Sequence, residues 1–188
     1  DNTTGAHNTA VGYRALYENT TASSNTGIGE YALRNNTTGY NHVAVGYRAL
    51  YSNTTSIANN AVGSSALYTC TTGAGNNAFG YYALYACNGS YNTAMGHGAG
   101  QAVTSANGNT FMGYSAGNAV TSGASNTGIG NNALMSCTTN GSNTAVGQNS
   151  MLYATGAYNV AVGTRVMDAS SCTATHCTAI GDEAMTSL

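Results

Sequence analysis

The chain has 188 residues, of which only 5% are charged, and a formal net charge of −2. It has no lysine, and its four arginines (Arg14, Arg34, Arg48, Arg165) form no basic stripe, which argues against a nucleic-acid partner. No apolar run approaches the roughly 18 residues of a membrane span, and the 42% apolar residues are phased too strictly for a disordered chain.

The phasing is a tandem repeat. A small residue, a large apolar residue and a glycine recur together, ending at Gly12, Gly29, Gly46, Gly63, Gly80, Gly96, Gly113, Gly130, Gly147, Gly163 and Gly181. The spacings are 17, 17, 17, 17, 16, 17, 17, 17, 16 and 18 residues. Such a period means one unit stacked along an axis. The expected fold is a repeat solenoid, a parallel β-solenoid or β-roll of about 11 coils of about 17 residues, and a rod of about 50 Å. Residues 1–188 read as a single solenoid without a capping unit. It is expected to be a segment of a longer fibre or a unit that stacks on itself.

Within each coil the elements follow in a fixed order. Four residues before the glycine stands Asn in nine coils, replaced by His42 and Cys177 in the other two. Stacked one per rung, these amides can bond along the column as a structural ladder, or present a row to a ligand. The next three residues alternate with the period of a strand. Mostly Thr comes first, with Val43 and Val160 as variants, then Ala or Gly except at Phe111. The last position reads Val11, Ile28, Val45, Val62, Phe79, Met95, Met112, Ile129, Val146, Val162 and Ile180. Its uniform size and apolarity assign this column to the core.

After the glycine, Ala at three, Leu at four and Asn or Cys at seven give a helical spacing, so a short helical turn is expected in each coil. Thr-Thr-Gly stretches such as Thr37-Thr38-Gly39 then form the return loop. Gly100 and Gly117 replace the Leu in two coils, where Val103 and Val120 replace the Asn or Cys. Volume lost at one inward position is regained at another.

No constellation for catalysis stands out. Glu18, Glu30, Asp168, Asp182, Glu183 and Asp1 cluster only in the last coil, and His7, His42, His97 and His176 are scattered in phase. The chain therefore reads as a non-enzyme with no cofactor. Cys70 and Cys87 share a slot in adjacent coils, close enough for a disulfide, or they replace Asn as small buried residues. Cys172 and Cys177 could bridge within the longest coil, and with His176 and Asp168 they form a weaker metal candidate. Cys137 has no stacked partner and reads as a buried thiol. Disulfides would fit an extracellular setting. Glycosylation sequons at Asn2, Asn19, Asn35, Asn36, Asn53, Asn88 and Asn140 arise readily from the Asn- and Thr-rich composition. Tyrosines line a second surface: Tyr13, Tyr47, Tyr81 and Tyr114 directly after the glycine, and Tyr17, Tyr51, Tyr68 and Tyr85 five after it. They are candidates for a lateral interface between chains or for contact with a receptor or glycan.

The runs Asn8-Thr9-Ala10-Val11-Gly12, Asn25-Thr26-Gly27-Ile28-Gly29 and Asn143-Thr144-Ala145-Val146-Gly147 resemble the YadA-like head repeat of trimeric autotransporter adhesins and related phage tail-fibre proteins. That resemblance implies a left-handed β-roll, three chains side by side, and exposure on a cell or virion surface. The longer coil and the added Ala-Leu segment depart from those heads.

Together these features point to a structural and adhesive fibre module, extracellular, whose partners are itself and a cell-surface receptor or glycan. It would associate with itself as a lateral trimer or by end-to-end stacking. The alternative is a filament subunit that polymerises through open strand edges. An ice-binding solenoid needs a flat exposed Thr row, and the Thr column here shares its face with the column assigned to the core.

Overall fold

In the computed structural model, residues 2–153, 155–169, 173 and 175–186 are described. Each repeat contributes one three-residue strand: β1 (Thr9–Val11), β2 (Thr26–Ile28), β3 (Val43–Val45), β4 (Asn60–Val62), β5 (Asn77–Phe79), β6 (Thr93–Met95), β7 (Thr110–Met112), β8 (Thr127–Ile129), β9 (Thr144–Val146), β10 (Val160–Val162) and β11 (Thr178–Ile180). They form one parallel sheet in chain order. The register is exact in repeat phase, so that Ala44 pairs with Ala61 and Ala61 with Ala78. The chain is a parallel β-solenoid of about 17 residues per coil.

No helix occurs among the described residues, which corrects the expected helical turn. The segment after each glycine alternates the sign of φ instead. Arg14 and Leu16 both stand at 52°, and the same two positions are left-handed in the other coils. Its backbone hydrogen bonds mostly run to neighbouring coils, as from Leu16 N–H to the Ala32 carbonyl (3.0 Å) and from Glu18 N–H to that of Arg34 (2.9 Å). A left-handed leucine costs about 1–2 kcal/mol, while burying its side chain returns about 1.5–3 kcal/mol. That balance explains why this position holds either a large buried Leu or Met, or a glycine.

The strand phase is the reverse of the sequence expectation. Ala44, Ala61, Ala78, Ala94, Phe111, Ala145 and Ala161, in the middle of their strands, are fully buried. The column assigned to the core faces outward: Val11 is 57% exposed, Phe79 40% and Ile180 70%. Ile28, Met95, Met112 and Ile129 are also exposed, while Val45, Val62, Val146 and Val162 are half-buried. The cause is the narrow cross-section of the coil. Leu33, Leu50, Leu67, Leu84 and Leu134 already fill it from the opposite side, together with a second alanine column from Ala32 to Ala133. Only a methyl or a hydrogen fits between them on the strand side.

Phe111 is the exception that proves this filling. It is fully buried where Gly100 and Gly117 leave room: a Cβ at Gly117 would come within 2.3 Å of its ring, and one at Gly100 within 3.0 Å. Val103 and Val120 are fully buried beside it.

Candidate functional site

Two exposed ladders and a buried polar column run along the rod. In that column each Asn does two jobs. Asn25 Nδ2 donates to the Gly39 carbonyl of its return loop (2.9 Å), and its Oδ1 accepts from the backbone N–H of His42 on the next rung (3.0 Å). The pattern repeats through Asn59, Asn76, Asn92 and Asn143. Every amide is thus committed inside the fold, and the column serves as structure. A second column joins it: Asn53 donates to Asn36 Oδ1 (2.6 Å), and Asn36 to that of Asn19 (3.2 Å). Asn19, Asn36 and Asn53 are buried, so these three sequons are closed to a glycan in the folded rod.

His42 copies the amide. Its Nδ1 accepts from Asn59 N–H (3.1 Å) and its Nε2–H donates to the Ser56 carbonyl (2.8 Å), partners that select the Nε2–H tautomer. Burial lowers its pKa below 6.5, although its bonds to Ser56 and Asn59 oppose the shift. A proton on Nδ1 would point at the Asn59 N–H. The unfolded chain, which titrates near 6.5, therefore takes up that proton first as pH falls. Stability from the neutral ring is fully present above pH 6.5 and declines below it, by up to about 1.4 kcal/mol per pH unit. Thermal unfolding from pH 7.5 to 5 is expected to show this loss in the wild type. His42→Asn, which restores the common residue, is expected to flatten it; an unchanged slope would sink this assignment.

Cys70 and Cys87 are buried free thiols, so the disulfide read from their shared slot is not formed. Their sulfurs take over the amide's donor role, Cys70 to the Gly73 carbonyl (3.3 Å) and Cys87 to that of Gly89 (3.5 Å). Burial pushes Cys70 up to about 12, helped by the nearby Cys87, and Cys87 up to about 11, so neither is a nucleophile at neutral pH. Cys137 is likewise a buried thiol, with its pKa raised by burial. The Cys172–Cys177 pairing lies outside the described residues. Among the described residues no three His, Cys, Asp or Glu side chains come together to hold a metal ion.

The first exposed ladder is the strand face. It carries the large apolar column and, beside it, the Thr column. Thr93, Thr110, Thr127 and Thr144 occupy consecutive rungs there. No Asp, Glu, Lys or Arg stands in either column.

The second is aromatic. Tyr51, Tyr68 and Tyr85 stack nearly parallel, with ring centroids 5.2 and 5.1 Å apart. Within this stack the rings cover one another's facing sides. Tyr81, His97 and Tyr114 continue as a stack at 5.1 and 5.3 Å. In the first three coils the rings meet edge to face, as Tyr31 does with Tyr13, Tyr47 and Tyr51, and guanidinium groups cover them. Arg14 lies 5.2 Å from both Tyr13 and Tyr17, Arg34 lies 5.6 Å from Tyr17, and Arg48 lies 4.9 Å from Tyr47. Sequence reasoning found Tyr13, Tyr17, Tyr47 and Tyr51 but missed Tyr31 and the arginines, although Arg14 and Arg48 stand in one phase two coils apart.

No helix of the described residues is long and apolar enough to cross a membrane. No protein-family model, curated protein or solved structure gives a match to this chain.

Proposed function

We propose that the chain is a non-enzymatic structural and adhesive fibre module, of the phage tail-fibre or bacterial surface-adhesin type, extracellular and exposed on a virion or cell surface. The observation that carries this reading is the uncharged apolar ladder on the outside of the rod. Large exposed apolar surfaces mark interaction sites, and this one repeats on every rung. A strip roughly 50 Å long and 10 Å wide offers about 500 Å² per chain, so two such strips approach the lower range of specific interfaces. Because every copy carries the same ladder at the same rise, a second copy of the chain is its natural cover. A lateral trimer, as the resemblance to YadA-like heads implies, would put three strand faces around one axis.

The test is the assembly state. Phe79, Met95 and Met112 are exposed at mid-rod, and replacing all three with Asp adds charge without touching the core. The wild type is expected to run as short rods of three chain masses by mass photometry and electron microscopy. The triple variant should fall to single chains with unchanged circular dichroism. A wild type that stays monomeric at micromolar concentration would overturn the lateral reading, and long filaments would favour end-to-end assembly.

A second reading draws on the Thr column. It shares its face with the apolar ladder, and that face is outward, so the objection to an ice-binding solenoid falls away. Thermal hysteresis by the wild type, lost when Thr110 and Thr127 become bulky, would support it.

A further inference from the structure

We propose that the Arg–Tyr cluster on the first three coils binds an acidic polysaccharide, one bearing carboxylate or sulfate groups. This rests on the adhesive half of the proposed function, and it does not depend on the lateral assembly.

Three of the chain's four arginines fall between residues 14 and 48, one per coil, on the aromatic face. Arg34 is the best satisfied: it donates to Asn35 Oδ1 (2.6 Å) and lies 3.9 Å from the Glu18 carboxylate. Among the described residues, Arg14 and Arg48 have neither a side-chain hydrogen bond nor an ion pair, only aromatic rings. Arg48 sits among Tyr31 (5.7 Å), Tyr47 (4.9 Å) and Tyr51 (5.7 Å). Its Nε is the one buried side-chain nitrogen or oxygen without a partner among the described residues.

Arg48 is half-buried and uncompensated, which is costly, and an anion that reaches its guanidinium recovers that cost; Arg14 is exposed and offers a second cation. The tyrosines also hold the guanidinium planes in place and lower the local dielectric, so a fork can meet a carboxylate or sulfate at little ordering cost. Arg14 and Arg48 share a phase two rungs apart, about 10 Å. That spacing suits repeated charges on one linear polymer. Surrounding phenol hydroxyls can bond sugar hydroxyls. Nucleic acid fits less well, because three cations on a chain of net charge −2 cannot follow a continuous phosphate backbone. Glu30, exposed in the second coil, stands in the coil between those of Arg14 and Arg48, where its charge opposes an incoming anion.

The experiment measures binding of the whole chain to immobilised heparin, to polygalacturonate, to single-stranded DNA and to a neutral dextran at low and physiological salt. Either acidic polymer should bind and dextran should not, with affinity falling as salt rises. Arg14→Gln with Arg48→Gln is expected to weaken binding at least tenfold. Arg165→Gln, in the distant coil paired with Glu183, should change nothing, and Glu30→Gln should tighten binding. Circular dichroism and chain mass in the same samples separate this result from any change in folding or assembly. No binding to either acidic polymer, equal binding by the double arginine variant, or equally tight binding of single-stranded DNA would overturn the proposal.

Discussion

Replacing Gly63 by alanine is expected to destabilise the rod by at least about 3 kcal/mol. Two penalties act together. Gly63 has φ 131°, a conformation that residues with a Cβ scarcely adopt. A Cβ there would also stand 2.5 Å from the Gly80 carbonyl oxygen and 2.7 Å from its carbon, backbone atoms that cannot move without opening the next rung. Gly181 has the same backbone (φ 127°) but a Cβ there would meet nothing within 4 Å. Gly181→Ala should therefore cost only the backbone strain. Denaturant unfolding of the two variants separates the terms, and equal losses would show that close packing of the glycine rungs contributes nothing.

The buried amides supply the second large effect. Asn76 donates to the Gly89 carbonyl (2.8 Å) and accepts from the backbone N–H of Asn92 (2.9 Å). Asn76→Ala would leave the buried Asn92 N–H unpaired and the Gly89 carbonyl with only the weak Cys87 thiol bond (3.5 Å). At about 1–3 kcal/mol for an orphaned group, and less for the weakened one, the loss should be about 2–4 kcal/mol. Leucine, of similar bulk, should be no better than alanine, because what is lost is bonding and not volume. Histidine should recover part of the loss, since His42 makes the same two bonds. Thermal unfolding of the three variants decides it, and a leucine variant as stable as wild type would refute the account.

The solenoid, its period and its strands were legible because the glycine recurs where only glycine fits, and no coil departs from 17 residues by more than one. Which way the strands face was not legible from apolarity. Val62 and Phe79 are larger and more apolar than Ala61 and Ala78, yet the alanines hold the interior. Hydrophobic residues are not confined to cores, and a narrow coil selects for smallness. One signal was present: Phe111 interrupts the Ala column in the coils where Gly100 and Gly117 interrupt the Leu column, a volume exchange that only facing inward positions can make. The helical spacing misled because it recorded burial. Ala49 and Leu50 both point inward from a backbone that alternates its handedness, and no i−4 bond is made. The candidate binding cluster was half legible. Tyrosine columns stand out by repetition, but Arg14 and Arg48 gain meaning only from the rings around them and the missing counter-ion.

The coil-to-coil hydrogen bonds have a mechanical consequence. They lie along the rod axis, so a pull on the chain ends loads the terminal rung alone, and coils peel away in turn while the rest stay shut. Each peeled coil of 17 residues extends the chain by roughly 50 Å at near-constant force. Under tension such a rod is a reel that pays out line and can rewind, because the exposed edge of the remaining stack is a template for the strand just lost.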